Sequence, residues 1–83
     1  MKVTTPAMLA AAMRDQRKLS KITQAQAAGV VGIKPLTISD FENRPESTKL
    51  ATLFKILAAL DLELYVVKRG STLNEDKVWN KEW

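Results

Sequence analysis

Residues 23–43 hold the feature that most restricts the fold of this chain: two short apolar-periodic segments that meet at one glycine. Thr23 followed three residues later by Gln26 forms a capping box, whose hydroxyl and amide satisfy orphan N–H groups at a helix start. The helix it opens runs through Ala25, Ala27 and Ala28 and stops near Val31, because Gly32 suits a left-handed backbone position between two helices. A further short helix begins at Pro35, whose missing N–H is harmless in a first turn, and ends near Asn43. On it Ile38 and Phe41, three apart, face inward. A small residue at Ala28 lets the two helices cross closely, Gly32 makes the turn, and branched Ile38 fills the angle between them. Two helices and a glycine turn are also compatible with an α-hairpin in some other bundle.

The flanks supply the rest of a small core. Thr5 and Pro6 read as an N-cap followed by a first-turn proline, and Ala7, Met8, Leu9, Ala11, Ala12 and Met13 form the helix they open. Arg14, Arg17 and Lys18 stand at its polar end, where cations complement the helix dipole. Pro45 forbids continuation of the third helix. Ser47 or Thr48 is the expected cap of a fourth, with Leu50, Leu53, Phe54, Leu57 and Leu60 on its inner face and Lys49 and Lys55 outside. After Asp61 the period changes: Leu62, Leu64 and Val66 alternate with Glu63, Tyr65 and Val67, which predicts one strand of about six residues. Beyond Lys68 the chain carries Gly70, Ser71, Asn74 and mixed charges, either as a flexible tail or with a short helix around Val78 and Trp79. The expected architecture is mostly α, a four- to five-helix bundle plus one C-terminal strand. Residues 1–68 form the folded domain and 69–83 the tail.

Composition narrows the function. A chain of 83 residues has room for one modest core. With no cysteine and no histidine, thiolate metal sites, disulfides and histidine-dependent triads are excluded. No cluster of acids, bases or nucleophiles suggests an enzyme, and no cofactor is expected. The apolar residues fall in short runs, which predicts no membrane partner. The N-terminus lacks the pattern of a secretory signal, so the expected location is cytoplasmic. Residues 1–60 carry nine Lys/Arg against four Asp/Glu, a net of +5, and residues 61–83 four against five, a net of −1. A basic body fits a polyanion partner, with an ordinary solvated surface as the plainer alternative.

Taken together, Thr23, Gln24, Ala28, Gly32 and Ile33, followed by Thr37, Ile38, Ser39, Phe41, Glu42 and Asn43, resemble the phage-repressor-like (Xre) helix-turn-helix family. The resemblance implies that Gln24 and nearby N–H groups touch a DNA phosphate while the third helix lies in the major groove. Its outward residues are then Lys34, Pro35, Leu36, Thr37, Ser39 and Asp40. Lys34 can donate to a guanine edge, Leu36 can contact a thymine methyl, and Thr37 and Ser39 can take a phosphate or a base. Asn43 and Arg44 stand where the family holds the next phosphates. Two departures qualify this. Many relatives carry glutamines where Pro35 and Leu36 stand, so Pro35 is read as fixing the helix start, and Leu36 as a base contact or a misplaced core residue. Asp40 is repelled by phosphates unless it accepts from a cytosine amine. Its other reading is an intramolecular bond at the surface or toward Asn43.

The run GIKPLTISDFENRPESTKLATLFKILAALDLEL resembles, more narrowly, the HipB-type antitoxins of HipA-like kinase toxins. That resemblance covers roughly residues 6–68 and the ending Glu82–Trp83. It implies that the strand pairs with its copy across a two-fold axis, through Leu62, Leu64, Tyr65 and Val66, to form an intersubunit β-sheet in a homodimer. It further implies a palindromic operator, repression of the chain's own operon, and neutralisation of the kinase, with Trp79 and Trp83 as anchors in the toxin. The alternatives are a stand-alone phage or restriction-control repressor, or a toxin-binding module without DNA binding.

Overall fold

Thr5 opens the first helix as its sequence predicts. Its Oγ1 accepts from the Met8 N–H at 3.1 Å, and Pro6 occupies the first turn of α1 (Pro6–Leu19). The computed structural model describes residues 2–70. Ala10, Met13 and Arg17, spaced three and four apart, form the buried face of α1. The capping box closes α2 (Gln24–Val31): the Thr23 N–H donates to Gln26 Oε1 at 2.8 Å and the Gln26 N–H to Thr23 Oγ1 at 3.0 Å. Then follow α3 (Pro35–Asn43), a 3₁₀ turn (Pro45–Ser47) and α4 (Leu50–Ala59).

Each helix places two residues in one core: Ala10 and Met13, Ala27 and Ala28, Ile38 and Phe41, Ile56 and Leu57. Leu9, Ile22, Ile33, Leu53, Ala59, Leu60 and Leu62 pack around it. Helix α2 lies against both α3 and α4, and α1 lies against α3, so the two elements of the central turn are clamped from both sides.

Two expectations for α4 need correction. Ser47 and Thr48 do not cap it; Lys49 stands at the cap position and makes no side-chain cap bond. The fixed φ of Pro45 favours a tight turn, and that turn consumes the polar groups nearby. Ser47 Oγ donates to the Arg44 carbonyl at 3.1 Å, and the Thr48 N–H donates to the Pro45 carbonyl at 3.1 Å. The inner face also differs. Ile56 and Leu57 are buried with Leu53 and Leu60 beside them, whereas Leu50 is 68% and Phe54 52% exposed. At 3.6 residues per turn, Leu50 and Phe54 lie about 60° and 100° around the helix from Leu53, on the flank of the apolar stripe.

After α4 the chain turns at Asp61, which takes a positive φ of 58°. The Leu62 N–H returns to the Leu57 carbonyl at 2.9 Å. Among the described residues there is no β-strand, including over the predicted segment from Leu62 to Val67. A strand is defined by its ladder, and no described segment pairs with these residues. No described helix is long and apolar enough to cross a membrane.

Candidate nucleic-acid interface

The angle between α2 and α3 is set by Gly32, at φ 71° and ψ 33°. Its N–H and that of Ile33 both donate to the Ala28 carbonyl, the latter at 3.1 Å, closing the end of α2. A Cβ at Gly32 would meet nothing within 4 Å. The glycine is therefore required by backbone angle and not by space. Beneath the turn, Ala28 and Ile38 are each 1% exposed, as their spacing predicts. Lys34 is extended, at φ −81° and ψ 145°, and delivers the chain into Pro35 at the start of α3.

With Ile38 and Phe41 locked inward, and Glu42 turned toward α1, α3 presents its remaining residues at or near the surface. Lys34, Pro35, Leu36, Asp40, Asn43 and Arg44 are exposed, and Thr37 and Ser39 are half-buried. Leu36, at 67% exposure, is not a core residue. Asn43 folds back along its own helix, its Nδ2 donating to the Ser39 carbonyl at 2.9 Å and to Ser39 Oγ at 3.2 Å. Asp40 makes its intramolecular bond with Arg44 and not with Asn43: Arg44 Nη2 stands 3.4 Å from Asp40 Oδ1. Thr37, Asp40 and Arg44 line one side of a shallow hollow of about 200 Å³, completed by Ser47, Thr48, Lys49 and Thr52. Sequence reasoning places none of these last four at the candidate interface. The hydroxyl-rich run Ser47-Thr48-Lys49 after Pro45 was the available signal.

Behind α3 lies a brace that the sequence pattern did not reveal. Arg17, read from the sequence as a dipole-compensating cation, is instead buried. Its Nε and Nη2 donate to Glu42 Oε2 and Oε1 at 2.7 and 3.2 Å, and its Nη1 to the Ile22 carbonyl at 2.8 Å. Gln24 Nε2 donates to the same Glu42 Oε1 at 3.0 Å. One carboxylate thus ties the end of α1, the start of α2 and the end of α3 together. Burial pushes the Glu42 carboxyl up, but hydrogen bonds from Arg17 and Gln24 and the charges of Arg17 and Arg14 outweigh it. The net effect holds Glu42 below its ordinary value. Gln24, the residue expected to reach a phosphate, keeps one amide hydrogen after meeting Glu42.

The residues expected to form a dimer lie on a separate face. Leu62 packs on the core, whereas Leu64, Tyr65 and Val66 are exposed large apolar side chains, as are Leu50 and Phe54. Leu64, Tyr65 and Val66 border a largely apolar trench of about 540 Å³ shared with Val3 and Leu9. Trp79 and Trp83 lie outside the described residues.

A helix-turn-helix family model matches residues 13–67, the span from the middle of α1 to the end of the extended segment. The antitoxin HipB of Escherichia coli (strain K12) is 39% identical over 83 residues, covering 99% of this chain and 94% of that protein. Among solved structures, a HipB–O4 20mer complex superposes with a TM-score of 0.82 at 42% identity, covering 83% of this chain and 97% of that one. A HipA–HipB–O2–O3 complex gives the same TM-score of 0.82 at 42% identity over the same shares, 83% and 97%. Fold, turn and sequence therefore agree: the chain belongs to the helix-turn-helix family and, within it, to the HipB antitoxins.

Proposed function

We propose that this protein is a homodimeric repressor that binds a palindromic operator upstream of its own operon, and the antitoxin that neutralises a HipA-like kinase. The observation that carries the reading is the two-sided character of α3. Ile38 and Phe41 hold one side immobile in the core, while Lys34, Leu36 and Arg44 stand exposed on the other. A rigid helix with exposed donors is what major-groove readout requires. Lys34 donates to a guanine edge and Leu36 packs on a thymine methyl, with Pro35 fixing the start of the helix. Thr37 and Ser39 contact a base edge or a phosphate. Gln24, Asn43 and Arg44 grip flanking phosphates, Asn43 after releasing Ser39, and the hydroxyls and Lys49 of the adjacent hollow extend that grip.

The dimer follows from unsatisfied surface. A single extended segment leaves its backbone without a ladder and its apolar residues exposed, and a second copy supplies both. Leu62, Leu64, Tyr65 and Val66 form the intersubunit sheet, and Leu50 and Phe54 flank it. A two-fold axis there sets two α3 helices about one DNA turn apart. Residues 1–68 are the DNA-binding and dimerisation domain. Residues 69–83 reach the kinase through Trp79 and Trp83, because large aromatics are efficient anchors in a partner's pocket. The protein acts in the cytoplasm by binding, without chemistry of its own. The HipB–O4 20mer and HipA–HipB–O2–O3 complexes support the choice of partners.

Two experiments test the reading. A gel shift on the chain's own promoter should show binding that falls by roughly 10³ or more between 50 and 200 mM salt if about six phosphates are contacted. The adjacent kinase should co-purify with the full chain and be lost when residues 70–83 are removed. Kinase capture without any salt-sensitive shift would leave a toxin-binding module in place of a repressor.

A further inference from the structure

Asp40 is the only acidic side chain on the outward face of α3. It sits one turn before Arg44, the cation best placed to meet a phosphate beside the hollow, and the two are joined at 3.4 Å with both side chains well exposed. A contact so long and so exposed is weak, so Arg44 exchanges readily between Asp40 and any competing anion. If Arg44 leaves for a phosphate, an unpaired carboxylate remains one helical turn from the DNA backbone and repels it. If Arg44 stays, its charge is cancelled and the phosphate contact is lost. In either case DNA of arbitrary sequence is disfavoured.

One base edge changes the balance. The cytosine N4 amine is a donor in the major groove, and a carboxylate is a suitable acceptor for it. Where a cytosine lies beneath Asp40, the amine replaces the guanidinium as the partner of Oδ1. Arg44 is then released to a phosphate without leaving an unpaired acid. The base contact and the phosphate contact become one coupled event. From this geometry we propose that Asp40, through its pairing with Arg44, is a specificity-determining residue. It suppresses binding to arbitrary DNA and selects a cytosine in each half-site. The proposal rests on the DNA-binding reading given above.

The test uses the full chain in three forms: parent, Asp40→Asn and Arg44→Ala. Each selects from a random duplex library, and its affinity is then measured for the selected duplex and for mixed-sequence DNA at several salt concentrations. Asp40→Asn is nearly isosteric and exposed, so it leaves the core untouched. The parent should enrich a cytosine at one position of each half-site, and Asp40→Asn should lose that preference. The variant should also bind mixed DNA severalfold tighter with a salt slope steeper by about one counterion, so that the ratio of specific to non-specific affinity drops by roughly tenfold. Arg44→Ala should weaken both duplexes. The proposal is overturned if Asp40→Asn changes both affinities by the same factor, or selects the same sequence as the parent. If the parent enriches no duplex, the DNA-binding reading itself fails, and this proposal fails with it.

Discussion

Replacing Glu42 by glutamine removes one charge and almost no volume, and its cost can be worked from the brace. In the parent, Arg17 makes two bonds to the carboxylate and one to the Ile22 carbonyl, and the two paired side chains are only 10% and 6% exposed. A glutamine oxygen in the place of Oε1 can still accept from Arg17 Nη2 and Gln24 Nε2, but the bond from Arg17 Nε to Oε2 is lost. Its NH₂ must then face another donor, and the guanidinium is left buried without a counter-charge. Removing one partner of a buried pair costs about 3–5 kcal/mol. The retained bond to Ile22 places this case near the lower end, about 3 kcal/mol. Domains of this size are stable by only about 5–10 kcal/mol, so the loss is roughly 30–60% of the total. At about 4–8 °C per kcal/mol, the melting temperature should fall by roughly 12–24 °C. Far-UV circular dichroism melts of parent and variant at one protein concentration measure this, since dimerisation makes the midpoint concentration-dependent. Arg17→Met with Glu42→Leu provides the control, because an apolar pair of similar volume is often neutral or stabilising. A Glu42→Gln midpoint within a degree or two of the parent would refute the argument that the brace holds the three helices together.

The same carboxylate sets an acid response. Glu42 is held below an ordinary value of 4.5 in the folded protein, so the unfolded chain takes up this proton first as pH falls. Its contribution is present above the ordinary value and is lost as pH falls through the depressed one; Glu42→Gln should flatten that part of the stability profile, read by denaturant titration. Gly32→Ala should destabilise by roughly 1–2 kcal/mol from torsion alone, and Gly32→Asn by less, in chemical denaturation. Leu64→Glu puts a charge into the proposed intersubunit sheet and should leave a folded monomer by sedimentation; an unchanged dimer would move the interface elsewhere.

The parts of the fold legible in the sequence are those decided by neighbours along the chain. Thr5, the Thr23–Gln26 box and Gly32 act over a turn or less, and the structure shows each in its expected role. Ile38 and Phe41 were readable because the spacing of three has one meaning on a helix. The cap of α4 differs from the expectation because the turn begun by Pro45 takes the Ser47 hydroxyl and the Thr48 N–H, and the helix starts only after Lys49. The Arg17–Glu42 brace spans 25 residues and no local pattern announces it. One signal existed: Arg17 follows Ala10 and Met13 on the same face, and a cation on an apolar stripe requires a buried acid. Leu50 and Phe54 looked like core because flank and centre of a stripe are separated by only a fraction of a turn. The segment 62–67 alternates as a strand does but forms none among the described residues, because alternation specifies two faces and not a hydrogen-bonding partner.

The central claim, that two α3 helices read DNA about a two-fold axis, is tested most directly by hydroxyl-radical footprinting of the chain's own promoter with the parent and with Lys34→Ala. The account predicts two protected half-sites centred about 10 base pairs apart, or a multiple of one turn, related by inverted symmetry, with weaker and less selective protection by the variant. A single protected half-site, or protection unchanged by Lys34→Ala, would contradict it.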